Sequence, residues 1–509
     1  MTAIALAALT LAFARWAHAF IAATTVELPS GRFHTLFDDG MIAMRYAWML
    51  AHGHGLVFNA GQRVEGFSNP LFVVAILTPA ALVAGGKSAA VLVVQWAGAL
   101  LLVGNAALTA RVAATLVADE SPAWRCVAAI AGFATALLYY PLDFWTLEGM
   151  ETGLVALLAT AALSLAARPQ PRPTRFGPLF GVLVGLLVCT RLDTAPIAVL
   201  LWLFRALKLP PEERRQLRRE TAIAVALVAV MMLARRFYFG AWLPNTYALK
   251  VQGMPIAIRW HNGRLFVAPF LSRQVGGALV VTLFGAAWQR SSLALTIGLS
   301  LCTATLYQAA VGGDPWTYWR QMAPYVPLVI VGSAWSALVV LRRVPWLGVL
   351  VAALVLYDGV VRSNAPFAAE AHFRELPYLV DENRKNVALA VALERIVTPS
   401  ARLGLVSAGV IGYYSDNEIV DFLGKIDRHV AQLAPDLRFG FHGLSTVPGH
   451  NKYDLEYSIV QLRPDYVQVD SWGRQSVHAF VASHYQRVGK LWLLRDSPNI
   501  RWDLARPNR

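Results

Sequence analysis

The sequence predicts an α-helical polytopic membrane protein that ends in a small α/β domain outside the membrane. Three observations lead there. First, 56% of the 509 residues are hydrophobic, only 15% are charged, and the mean hydropathy is +0.48; that is too apolar for an ordinary water-soluble domain. Second, apolar stretches recur from residue 3 to residue 361, whereas charge density roughly doubles after Asn364. Third, the net charge of +14 is unevenly placed. Residues 366–509 hold 17 Lys+Arg and 16 Asp+Glu, so the preceding part carries +13, from 28 basic and 15 acidic residues. A nucleic-acid-binding protein would concentrate its positive charge in a soluble domain. Here it falls between apolar stretches, as the positive-inside bias of cytoplasmic loops requires.

The apolar stretches lie near residues 3–24, 70–86, 88–118, 126–140, 152–167, 177–190, 194–204, 221–239, 277–289, 292–311, 321–340 and 345–361. The first lacks a basic leader and a small-residue cleavage site, so it reads as a retained helix. Several are shorter than the roughly 20 residues of a straight span. The basic stretches 168–175, 205–220 and 341–346 are expected in the cytoplasm. That orientation puts the loop 25–69, the turns near 149–152, 191–194, 244–247 and 312–314, and the C-terminal domain on the outer side. Parity then requires one of 70–86, 88–118 and 126–140 to be re-entrant or split, and the count is about 11 transmembrane helices. Beyond residue 365, Val387–Val397 reads as a helix, and Leu403–Ser407, Glu418–Phe422 and Tyr466–Val469 read as strands. The chain therefore divides into a membrane domain, 1–365, and an extracytoplasmic domain, 366–509. Cys126, Cys189 and Cys302 lie in apolar segments, so a disulfide framework is not expected, and no zinc-ligand spacing occurs.

The chemistry-bearing residues converge on the outer side. Within the loop 25–69, the stretch 37–70 opens with Asp38 and Asp39 at the start of a helical pattern and ends in a turn-rich run with Arg63, Glu65 and Asn69; Arg45 lies between. Carboxylates at a helix start either cap it or serve as a base for a hydroxyl group. Glu151 begins an apolar helix, with Trp145 just before it. Arg191 and Asp193 lie between two short apolar segments, suited either to pair with each other or to bind an anion. Asn245 and Tyr247 follow Pro244, with Lys250 one turn on. Gly312 and Gly313 precede Asp314 and Arg320. Residues 251–276 read as a mildly amphipathic loop. In the C-terminal domain His450 and Lys452 sit in a glycine- and proline-bearing turn. A departing phosphate needs cations, and Arg45, Arg63, Arg191, Lys250 and Arg320 are the candidates; an interfacial arginine or lysine also simply snorkels. No P-loop, nucleophile elbow or dinucleotide fingerprint occurs.

FDDGMIAMRYA and GHGLVFNAGQRVEGFSNPL resemble the first external loop of polyprenyl-phosphate-sugar glycosyltransferases of the GT-C fold, nearest the mycobacterial terminal arabinofuranosyltransferase family. FWTLEGMETGL, FGAWLPNTYALKV, YQAAVGGDPWTYWRQMAPYVP, AGVIGYYSDNEIVDFLGKIDRHVA and VPGHNKYDLEY extend the resemblance over most of the chain. It implies a glycosyltransferase of the bacterial inner membrane. The donor would be a polyprenyl-phosphate-linked sugar, D-arabinofuranose, and the acceptor a cell-surface glycan or glycoprotein. Asp39 would be the base and Asp38 its support. Arg45, Arg63, Glu65, Asn69, Glu151, Arg191, Asp193, Asn245, Tyr247, Lys250, Asp314 and Arg320 would face the donor, and His450 and Lys452 the acceptor. Asp38 and Asp39 are also placed to ligate a divalent cation, as in some members of that fold. The same fold using mannose or aminoarabinose is one alternative. A polytopic transporter is another, although no inverted repeat is visible.

Overall fold

The structure, a computed structural model, describes residues 2–167, 178–342 and 344–505. The basic stretch 168–175 lies outside the described residues, as does Arg343.

Among the described residues seven helices are long and apolar enough to cross a membrane, from Thr2–Ala23 to Pro345–Ala371. An eighth candidate is the pair Pro122–Leu137 and Tyr140–Leu147, bent by 53°. The bend falls just before Pro141, whose ring cannot continue an α-helical ladder. Thr152–Ala166 and Leu179–Thr190 are apolar but shorter, and Ala195–Lys208 packs against both, so the described residues hold seven or eight candidate spans where about 11 were expected.

Pro70–Val83 is different. It follows Asn69, which hydrogen-bonds Glu151, and it is succeeded by Lys87 and Ser88. Those two bind Asp416 and the Arg32 carbonyl. Both ends therefore stand on the face that carries the C-terminal region. At 14 residues the helix is also too short for a hydrocarbon core of about 30 Å. It packs beside Asp38–Ala51. The stretch 251–276, expected as a loop, is instead the first part of Ile256–Trp288. Arg259, His261, Arg264 and Arg273 hide its helical run from a hydropathy reading.

The loop after the first helix opens with an antiparallel hairpin, Thr25–Leu28 with Gly31–His34. The C-terminal region is built on a five-stranded sheet. Arg402–Leu405 lies between parallel neighbours Glu418–Asp421 and Tyr466–Val467, with Leu491–Leu494 and Tyr485–Val488 added antiparallel. Leu403 and Leu405 are fully buried, as a central parallel strand requires. The helix Val380–Ile396 packs alongside, and Ala408–Tyr414 connects the first two strands and lies on Asp38–Ala51. That contact joins the C-terminal region to the external loop.

Candidate active site

Asp38 and Asp39 occupy the first turn of Asp38–Ala51, where the helix dipole favours negative charge. The turn is seated tightly. Phe37 N donates to Glu148 O at 3.2 Å, and a Cβ on Gly40 would stand 2.9 Å from that same oxygen. Only glycine lets the helix start press on the turn around Gly149, which itself adopts φ +73°.

The adjacent carboxylates point to different partners. Asp38 Oδ1 accepts from Gly409 N at 3.0 Å and Val410 N at 3.1 Å. It thus caps the helix Ala408–Tyr414 rather than its own, across more than 370 residues. Burial, with Asp39 alongside, pushes its carboxyl up to about 6, against the pull of Lys425 and the Val410 amide. Asp39 faces a cleft. Its Oδ1 receives Lys425 Nζ at 2.7 Å and its Oδ2 receives Arg320 Nη1 at 3.0 Å. Burial works against its charge, but Lys425, Arg320 and Lys250 outweigh it and hold the carboxyl far below the ordinary range. The two carboxyls therefore serve separate neighbours, and the residues present do not fit a divalent cation shared between them. Among the described residues no group of three or more His, Cys, Asp or Glu could hold a metal ion.

Arg320 is fixed by the turn that ends Ser292–Val311. Gly312 and Gly313 take φ +101° and +75°, a left-handed reversal that brings Asp314 back under the arginine. Asp314 Oδ2 accepts from Arg320 at 2.9 Å and from Gln321 at 2.8 Å, and Lys250 Nζ lies 3.7 Å away. Asp314 is held below its usual range by Arg320 and Lys250, despite burial. The guanidinium also lies 5.5 Å above the buried Trp145 ring.

These groups line a cleft of about 1470 Å³, counting the space open to solvent. Arg191, Lys250, Arg320 and Lys425 face Asp39, Asp193 and Asp314 there, with Asn69, Tyr247 and His450 on its walls. His450 is kept neutral by burial and by Lys425, its pKa lowered to about 4. Arg191, Asp193 and Arg320 are shared with a smaller adjacent cavity of mixed lining, where Glu151 and Gln308 stand beside Val155, Ile197 and Pro324.

Several expected residues are engaged elsewhere. Arg45 is buried and donates to the backbone oxygens of Phe58, Gly412, Ser415 and Asn417; it ties the C-terminal region to the loop and cannot meet a donor. Arg63 lies over the Tyr238 ring, outside the cleft. Glu65 forms a sealed pair with Arg235, 2.6 Å apart and both side chains 3% exposed. Asn245 donates to the carbonyls of Gly424, Lys425 and Asp427, so it clamps the loop that presents Lys425 instead of facing the cleft. Lys452 donates to Ala248 O and Ala431 O and is buried. Arg191 reaches the cleft, but its guanidinium is shared between Glu151 and Asp193, and Asn69 completes that network through Glu151. Trp145 belongs to a buried aromatic cluster with Phe37, Phe144 and Tyr318.

Lys425 is the residue that the sequence reading passed over. Nothing local distinguishes it from any lysine in a loop; only Asn245 and the close approach of Gly66 to its backbone reveal that its position is built.

A profile described as "Domain of unknown function (DUF8728)" matches residues 373–505. No curated protein matches the sequence. Among solved structures, ArnT from Cupriavidus metallidurans bound to undecaprenyl phosphate superposes with a TM-score of 0.53 at 12% identity, over 88% of this chain and 89% of that one. Its apo state gives 0.53 at 13%, over 84% and 87%. This chain has the GT-C fold, a polytopic helical membrane part with a small C-terminal sheet region.

Proposed function

We propose that this protein is a membrane glycosyltransferase. It moves a sugar from a polyprenyl phosphate to a hydroxyl of a cell-surface glycan or glycoprotein, on the outer face of the bacterial inner membrane, with the C-terminal domain extracytoplasmic. The observation that carries the reading is Asp39, held between Lys425 and Arg320 on the wall of a cation-rich cleft. A lipid-linked sugar phosphate brings an anionic phosphate for those cations and sugar hydroxyls for the polar groups around them. That the similar ArnT structure holds undecaprenyl phosphate supports such a donor in this fold.

In the reaction the acceptor oxygen bonds to the anomeric carbon as the carbon–oxygen bond to phosphate breaks. The leaving electrons remain on the phosphate, stabilised by Arg320, Lys250 and Lys425. The acceptor proton passes to Asp39. In the donor-free cleft Lys425 and Arg320 make Asp39 a poor base. A donor phosphate competes for both cations, and Asp39 regains proton affinity as they turn away. Asp38 fixes the helix start from which Asp39 projects.

The sugar proposed is D-arabinofuranose, on the strength of the motifs in residues 37–70. Purified protein is offered short-chain polyprenyl-phosphoryl arabinofuranose, and release of polyprenyl phosphate is followed. Turnover that disappears in Asp39→Asn supports the reading. Turnover of only a mannosyl or aminoarabinosyl donor would keep the reaction and replace the sugar. Failure to bind any lipid-linked sugar would favour a transporter.

A further inference from the structure

Beyond the cleft, an unbroken row of aromatic rings leads from its wall over the C-terminal region. Trp316 and His450 line the cleft, with ring centroids 5.8 Å apart. Trp472 follows at 6.5 Å from His450, Phe439 at 6.0 Å from Trp472, and Phe441 at 6.5 Å from Phe439. We propose that this row is the binding track of the acceptor, a saccharide chain of several sugars, whose reacting end enters the cleft beside His450. The inference rests on the glycosyltransferase reading and assigns to that site its acceptor class.

Four observations support it. The rings keep open surface. Phe441 is 49% exposed, and Trp316, His450, Trp472 and Phe439 are half-buried, so each ring keeps some open surface even though Trp316 and Trp472 also pack against the core. Successive rings meet edge to face or tilted, with interplanar angles of 82°, 34°, 68° and 63°, so no two of them are stacked face to face. The C–H faces of a sugar are electron-poor and complement the negative face of an aromatic ring.

The track is also preorganised. Asn451 Nδ2 donates to Asp436 O at 2.7 Å and Phe439 O at 2.6 Å, fixing the loop that carries Phe439 and Phe441. Tyr453 OH donates to Asp436 Oδ2 at 2.6 Å and accepts from Arg474 N at 3.0 Å, fixing the tight hairpin that carries Trp472. Two separate loops are thus tied to the segment 451–453, and rigid placement lowers the ordering cost of binding.

Finally, His450 has a defined polarity. Its Nδ1 lies 3.1 Å from Pro448 O, and a carbonyl only accepts. Nδ1 therefore carries the hydrogen of the neutral ring, which leaves Nε2 as an open acceptor for a sugar hydroxyl. Lys425, Lys250 and Asp39 are the charged groups that act on this ring.

The test uses the full chain in detergent and isothermal titration with arabinofuranosyl mono-, di- and tetrasaccharides, and with the matching mannosyl series. Expected is an affinity that rises at least tenfold from mono- to tetrasaccharide in one series, with Trp472→Ala and Phe441→Ala each abolishing most of that gain. Phe441 is on the surface, so its variant reads binding even if Trp472→Ala folds poorly. A length gain that survives both substitutions, or no binding of either series by the unaltered protein, overturns the track. The donor assay is independent. If lipid-linked sugar is not turned over while the length gain and its loss on substitution persist, the glycosyltransferase reading fails and the saccharide track stands.

Discussion

Lys425 Nζ lies 2.7 Å from Asp39 Oδ1, an ion pair between residues 386 positions apart in the chain. It joins the C-terminal region to the external loop at the point where the cleft is most charged. A region that only braced the helices would not need to place a lysine on that one carboxylate. Four consequences can be measured.

Asp39→Asn should lower kcat for sugar transfer by about 10²–10⁴-fold, the range of a lost general base. Donor affinity should change little, because Asn keeps the shape and the phosphate cations remain. Single-turnover transfer and donor binding, measured separately, check this. A loss confined to donor binding would remove Asp39 from the proton transfer.

Lys425→Met should move the acid limb of the kcat/KM profile to higher pH. The cation stabilises ionised Asp39, so its removal raises the carboxyl's proton affinity and the active form appears later as pH rises. The same variant should raise the donor KM, since a phosphate cation is lost. An unshifted limb would mean that Asp39 does not set it.

Asp38→Asn should alter the pH dependence of stability without undoing the cap, because an amide oxygen can still accept from Gly409 and Val410. The folded carboxyl titrates near 6, above its ordinary value of 3.8. Its raised proton affinity therefore favours the fold fully below about pH 4, and that benefit is lost as pH climbs to 6. The loss is at most about 3 kcal/mol at 1.36 kcal/mol per unit, and less because the side chain is not fully sealed from water. Thermal unfolding of wild type relative to Asp38→Asn should show that decline between pH 4 and 6, and parallel curves would refute it.

Arg235→Met should destabilise strongly, by about 3–5 kcal/mol, because Glu65 would be left charged and buried without a partner. Adding Glu65→Leu should restore much of the loss, since an apolar pair removes the stranded charge. Thermal unfolding of the single and double variants checks this. A double variant no better than the single would show that the pair has a further role.

Much of the architecture was legible because the bilayer imposes it. Apolar length gave most of the long helices. Three strands of the C-terminal sheet were legible from short β-branched and leucine runs between turn residues, whereas Tyr485–Val488 and Leu491–Leu494 were not picked out. Nor was the helix from Ile256, because its arginines and histidine interrupt the hydropathy on which the reading depends. At the site, Asp39, Asp314, Arg320 and Lys250 could be picked out because charge is costly and sparse near a membrane. Arg45, Glu65 and Lys452 look equally charged in sequence, yet Arg45 and Lys452 are spent on backbone carbonyls and Glu65 on Arg235.

By itself, then, the sequence determined the class of fold and the loops that carry the chemistry, since hydrophobic length and charge are local properties. Only the tertiary structure decided which charges face one another. It gave Asp39 to the cleft and Asp38 to a distant helix cap, and it brought Lys425 and His450 to the same wall. Such pairings depend on directions and distances between segments hundreds of residues apart, which no local pattern encodes.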